Sequence, residues 1–306
     1  MTRAIFLFIS SLLLLLPFVS SEEASSISSQ MILCIPLILF LGIPHGAIDN
    51  VLYLRKRKIK NAVFIGVYVL IIGLNIGFWM LSPILAYALF LILSAYHFGQ
   101  SQFSQYFTKQ SWNQKALYFF WGLALLFGFV LFNLKEINDI MIQYEEFAVF
   151  SPLHQKLAMQ IGFAITLALT VGFLLKLTIK KAITIENLSM ELLVLCLILV
   201  CFYLMPLLIG FTLYFVILHS FKVLREEYHF LNFEREVSSV KGFIYLLTPF
   251  TLLSVVGIAF MFGLIHFDVL TISYGYCLII IISSITLPHV FVMNRFYDLL
   301  SYGKGV

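Results

Sequence analysis

Apolar runs of roughly 20 residues recur along the chain, separated by short polar or charged connections. That length is what a helix needs to cross the hydrocarbon of a bilayer, and no run shows the ten-residue alternation of a membrane β-barrel strand. The pattern predicts an all-α, polytopic transmembrane helical bundle of about ten spans. They fall at about 4–20, 31–54, 61–81, 84–103, 115–133, 156–175, 188–205, 207–224, 242–264 and 271–294. Two pairs are joined almost without a loop, around Leu81-Ser82-Pro83 and around Met205-Pro206, which predicts tight helical hairpins and brackets the count at eight to ten. No internal repeat and no low-complexity linker divides the sequence, so residues 1–306 read as a single integral membrane domain. Residues 1–20 carry a basic start, an apolar core and small residues near Ser20 and Ser21, the pattern of either a first span or a signal peptide.

Composition agrees: 61% of residues are hydrophobic and 11% charged, too little polar surface to cover a soluble globule of 306 residues. The formal charge of +4 is therefore a topological signal and not a nucleic-acid footprint. With the cluster Arg55, Lys56, Arg57, Lys58 and Lys60 placed in the cytoplasm, alternation puts seventeen of the nineteen basic residues on that side, all but Lys135 and Lys156. The acidic Glu22, Glu23, Glu136, Asp139, Glu145 and Glu146 fall outside. This predicts a multi-pass protein of the cell membrane with both termini cytoplasmic. Cys34, Cys196, Cys201 and Cys277 lack metal or redox spacing and read as small apolar fillers. Lys222, Arg225, Glu226 and Glu227 read as a solvated helical exit.

Against this background four histidines, His45, His97, His219 and His289, stand inside apolar spans. An ionisable side chain is costly in hydrocarbon and requires a partner. All four helices run the same way across the bilayer. Counting at 1.5 Å per residue puts His45, His97 and His219 within about 2 Å of one level in the cytoplasmic half, with His289 within about 8 Å. Pro44 and Pro288 directly precede two of them, and a proline that removes a backbone hydrogen bond bends a helix and swings the next side chain. One such histidine serves packing well enough; four at one depth point to a joint metal site or a proton relay. Imidazole suits iron, zinc or copper, and an all-histidine set leaves an ion its full positive charge and coordination positions open to O2. Asp49, one turn past His45, is the nearest carboxylate and a candidate to orient a ring. Ser94, Tyr96, Gln100, Ser101 and Asn75 are further candidates by position. His154, His229 and His266 fall in loops and read as surface residues.

The residues around the histidines carry a resemblance. Gly42-Ile43-Pro44-His45-Gly46-Ala47-Ile48-Asp49, then Ser94-Ala95-Tyr96-His97-Phe98-Gly99, then His219 ahead of Lys222 and Arg225, then Leu287-Pro288-His289-Val290, occur in this order over nearly the whole chain. Together they resemble the Brp/Blh family of bacterial and archaeal beta-carotene 15,15'-dioxygenases. The resemblance implies a membrane-embedded, Fe(2+)-dependent enzyme that cleaves the central double bond of beta-carotene, or a related carotenoid, with O2 to give two retinal molecules. It implies catalytic and metal-binding roles for His45, His97 and His219. The chain departs from the family pattern at Val223, where a further histidine is usual, at Gln102 in place of an aspartate, and at Asn50 in place of a histidine. His289 is the candidate fourth ligand. Two readings compete with the enzyme: a silent relative that binds carotenoid or retinal and assists a partner such as a rhodopsin, motivated by Val223, and a transporter using the histidines as a proton relay.

Overall fold

The computed structural model describes residues 2–17, 19, 26–55, 57–107 and 111–303, and these contain helices and no strand. The chain runs through α1 (Thr2–Leu15), α2 (Ile27–Leu54), α3 (Asn61–Leu81), α4 (Pro83–Phe103), α5 (Trp112–Phe132), α6 (Leu134–Gln143) and α7 (Glu145–Ala148). It continues through α8 (Lys156–Ile179), α9 (Ile185–Leu204), α10 (Leu207–Phe233), α11 (Val240–His266) and α12 (Tyr274–Gly303). Among the described residues nine helices are long and apolar enough to cross a membrane: α2 to α5 and α8 to α12.

Nine of the ten expected spans are thus present as crossing-length helices, and the first is not. α1 has 14 residues, about 21 Å of helix against a hydrocarbon thickness of about 30 Å. It ends at Leu15 because Leu16 precedes Pro17, and the residue before a proline is disfavoured in helical conformation. α1 lies against the middle of α10 and against α9, with Phe8 and Leu12 buried in the main apolar cluster. Ser20 and Ser21, the expected cleavage positions, lie outside the described residues. Both tight hairpins are present, α3 meeting α4 at Ser82 and α9 meeting α10 at Met205-Pro206.

Side-chain caps set the helix starts. Ser111 and Gln114 form a capping box on α5, and the hydroxyls of Thr184 and Ser239 accept backbone N–H groups of Asn187 and Gly242 at the starts of α9 and α11. α10 is the most enclosed span, while α3 and α11 expose most of their apolar surface, as helices bordering lipid do. α4 and α5 approach most closely, because Gly99 and Gly122 face the partner backbone: a Cβ on Gly99 would stand 1.9 Å from the carbonyl oxygen of Tyr118, and one on Gly122 1.8 Å from that of Ala95.

Two surface expectations change. α10 continues to Phe233, so Glu227 follows Val223 by one turn on the inward face and is fully buried, while Lys222 donates to the carbonyls of Ser101 and Gln102 at the end of α4. His154 is buried beneath Tyr87, and burial holds its imidazole below the usual histidine range. His229 lies on α10 and His266 ends α11, both exposed as expected. All four cysteines are free, three of them buried.

Candidate metal centre

His45, His97, His219 and His289 lie on four different crossing helices, α2, α4, α10 and α12, and the backbone departs from α geometry at two of them. α2 passes through a π segment (Ile38–Gly42) and then a 3-10 turn (Ile43–Gly46) that holds Pro44 and His45. α10 widens into a π segment over Tyr214–Ser220, which presents His219 and Ser220 inward together, both buried. Such interruptions of regular helices are frequent at functional sites. His97 lies on α4, and His289 lies on α12, which remains α-helical through Pro288.

All four rings converge. His45 and His97 stack with centroids 6.4 Å apart. His219 stands edge-on to both, at 5.2 and 5.0 Å, and His289 does the same at 4.9 and 5.0 Å. Each is at most 7% exposed. One ring nitrogen from each of His45, His97 and His289 lies within 4.8 Å of the other two. Two nitrogens held about 2.1 Å from one ion stand up to about 4.2 Å apart, so shifts of under about 1 Å bring these three to bonding distance. Gly46 faces the His289 ring, and a Cβ there would meet Nδ1 at 3.4 Å, an ordinary contact.

Hydrogen bonds behind the rings fix how each nitrogen is used. His45 Nδ1–H donates to the Gly42 carbonyl, which can only accept, with the Ser220 hydroxyl at 3.3 Å. Ser101 donates its hydroxyl to the Phe98 carbonyl at 2.9 Å, so its oxygen accepts from His219 Nδ1–H at 3.0 Å. His289 Nδ1–H donates to Asp49 at 2.9 and 3.0 Å, and Asp49 also accepts from the Tyr68 hydroxyl at 2.8 Å. These assignments leave the neutral imidazoles of His45, His219 and His289 a lone pair on Nε2. The Nε2 atoms of His97, His219 and His289, and Nδ1 of His97, are buried without a hydrogen-bond partner among the described residues. Approaching nitrogens of His45, His97 and His289, a group that His219 does not join, and buried unpartnered nitrogens on rings backed by acceptors fit a metal ion, whose histidine ligands characteristically donate their other N–H to such acceptors.

Of the residues expected to support the rings, Asp49 and Ser101 do so. Gln100 donates to Asn294, and Asn75 ties α3 to Ser283 and Ser284 on α12. Tyr96 packs edge-on against Tyr118, and Ser94 is buried on α4. Sequence reasoning missed Ser220, Tyr68 and the Gly42 carbonyl; only the adjacency of Ser220 to His219 offered a signal. The departures from the family pattern face elsewhere: Val223 is fully buried in an apolar cluster with Ile48, Met293 and Phe296, Gln102 donates to Glu191 at 2.6 Å, and Asn50 donates to Asn61.

Comparison with known proteins identifies the family of the chain. A family described as Beta-carotene 15,15'-dioxygenase matches residues 36–297, a stretch that contains all four histidines. A beta-carotene 15,15'-dioxygenase of the uncultured marine bacterium 66A03 is 30% identical over 81 residues, a match covering 25% of this chain and 30% of that relative. No solved structure matches. The chain belongs to the beta-carotene 15,15'-dioxygenase family, as a divergent member.

Proposed function

We propose that this protein cleaves the central double bond of beta-carotene with O2, giving two molecules of retinal. The equation balances without other reactants: both oxygen atoms end as aldehyde oxygens, one on each half of the broken C=C bond. The observation that carries the reading is the convergence of four buried imidazoles, three of them with a ring nitrogen that has no hydrogen-bond partner, in a chain of this family.

His45, His97, His219 and His289 would hold the metal, with Fe(2+) as the ion the family name favours. When bound, iron supplies the activation of O2. The protein's own part is to keep the rings of His45, His219 and His289 each in one tautomer, through the Gly42 carbonyl, Ser101 and Asp49, and to exclude water with apolar neighbours such as Phe98 and Phe215, whose rings contact His219. His289 takes the fourth position in place of a histidine at Val223. A substrate that partitions into lipid needs a site at membrane depth, which these helices provide. The basic clusters favour a cell-membrane protein with its C-terminus and the histidine end of the bundle cytoplasmic. A cytoplasmic N-terminus requires residues 1–26 to cross, for which α1 alone is too short.

The test is retinal formation in a bacterial host that accumulates beta-carotene, with His45→Ala, His97→Ala, His219→Ala and His289→Ala beside the wild type. Loss of retinal in all four, with membrane levels unchanged, is the expected result. Retinal from a folded His289→Ala variant at the wild-type rate would remove that residue from the site. Intact carotene bound to the wild-type protein would favour the silent binding relative that Val223 suggests.

A further inference from the structure

Building on the reading of the four histidines as a metal centre, we propose that Glu227 of α10 supplies the second of two negative charges that compensate a divalent ion held there. Asp49 supplies the first.

The charges buried within the helices are few enough to sum residue by residue. Histidine ligands are neutral, so a divalent ion among them keeps both of its charges in a low-dielectric interior, where uncompensated charge is strongly disfavoured. Three carboxyl groups are buried among the described residues, those of Asp49, Glu191 and Glu227. Glu191 is already answered. It accepts from Gln102 and from Tyr106, each at 2.6 Å, and the Lys222 ammonium acts on it with the opposite charge. Asp49 accepts from His289 Nδ1–H at 2.9 and 3.0 Å, which ties one negative charge to a ring of the centre. Glu227 remains, and a divalent ion with the carboxylates of Asp49 and Glu227 sums to zero.

The surroundings of Glu227 give it no other partner. It is 0% exposed, and neither carboxyl oxygen has a hydrogen-bond partner among the described residues. The charges that act on it are those of Asp49 and Glu226, both of its own sign. Glu226 is only half-buried, so solvent screens it and it stands outside the sum. A buried acceptor without a donor is destabilising, so packing gives no reason for a glutamate on a face whose neighbours Val223, Phe230 and Leu231 are apolar. That face points toward the centre's own helices. Val223 shares an apolar cluster with Ile48, the residue before Asp49, and with Met293 of α12. Glu227 follows His219 by eight residues, or about 12 Å along the axis, a range over which buried charges still act on one another.

The experiment measures cobalt(II) affinity by competition with a chelator, and melting temperature with and without cobalt. It compares full-length wild type, Glu227→Gln, Glu227→Asp and Glu186→Gln in detergent. Glu186, exposed in the first turn of α9, is the control for loss of one negative charge. Glu227→Gln is expected to weaken cobalt binding by at least about tenfold. Its metal-free melting temperature should equal or exceed that of the wild type, because without an ion nothing answers the carboxylate. Glu227→Asp keeps the charge and should recover most of the lost affinity, and Glu186→Gln should match the wild type. Wild-type affinity in Glu227→Gln overturns the proposal, as does an equal loss in Glu186→Gln or in Glu227→Asp. A lower metal-free melting temperature in Glu227→Gln, or its failure to fold, overturns it as well by making Glu227 a packing residue. A wild type that takes up no cobalt removes the metal centre and this role with it. Carotene left intact by a protein that binds cobalt as expected sinks only the assigned reaction and leaves the role of Glu227 standing.

Discussion

Asp49 offers the sharpest test of how the rings are held. Its buried carboxylate accepts His289 Nδ1–H at 2.9 and 3.0 Å and the Tyr68 hydroxyl at 2.8 Å. A hydrogen bond to a charged group contributes about 1.5–3 kcal/mol, and loss of the acceptor behind a metal-bound histidine typically lowers metal affinity by about 10–100-fold, or about 1.4–2.7 kcal/mol. The two scales agree, so Asp49→Ala should weaken metal binding toward the upper end. Asp49→Asn keeps one acceptor for His289 while losing the charge, and should fall toward the lower end. Tyr68→Phe removes one hydrogen bond to the carboxylate and leaves the Asp49–His289 contact in place, so it should weaken binding by no more than about tenfold. The assay is competition for ferrous iron, with cobalt(II) as an air-stable probe, between purified protein in detergent and a chelator of known affinity. Gln102→Ala is the control, since Gln102 is also buried but is engaged by Glu191. A folded Asp49→Ala variant with wild-type affinity, or an equal loss in Gln102→Ala, would refute the assignment of Asp49 as the group that orients His289.

Gly99→Ala and Gly122→Ala place a methyl carbon inside the partner backbone at 1.9 and 1.8 Å, so α4 and α5 must part. Each should cost at least about 1–3 kcal/mol and displace His97, seen as a lower melting temperature with weakened metal binding, whereas Gly257→Ala, where a Cβ meets nothing within 4 Å, should be neutral. Metal removal should lower the melting temperature, because ligand present at 100 times its dissociation constant stabilises by about 2.7 kcal/mol. Identical melting of metal-loaded and chelated protein would count against a site formed by these rings.

The parts of this structure that were legible in the sequence are those set by length and helical rise. Apolar runs predict ten spans, nine of which are crossing-length helices among the described residues, and counting residues into them places His45, His97 and His219 at one depth. His289 had been offset by about 8 Å because its helix was expected to begin at 271; α12 begins at Tyr274, which puts His289 fifteen residues in, against fourteen for His97 after Pro83. The parts that were not legible depend on local winding and on partners from distant helices. Four charged residues within six positions, Lys222, Arg225, Glu226 and Glu227, suggest that α10 ends near Arg225, yet the helix continues and turns Glu227 inward.

The π segment of α10 has no sequence signature of its own, yet the site depends on it. Consecutive side chains diverge by about 100° in an α-helix and by somewhat less in the wider π turn. The wider turn over Tyr214–Ser220 lets His219 face the other rings while Ser220 stands 3.3 Å from His45 Nδ1. It also changes the relation between position 219 and position 223. Four residues separate stacked neighbours in an α-helix, but the π segment ends at Ser220, and Val223 lies in the apolar cluster with Ile48 and Met293. A histidine restored by Val223→His would start from that apolar cluster, whereas His289 already stands among the rings. The local winding of α10 thus gives a physical reason for the fourth imidazole to come from α12.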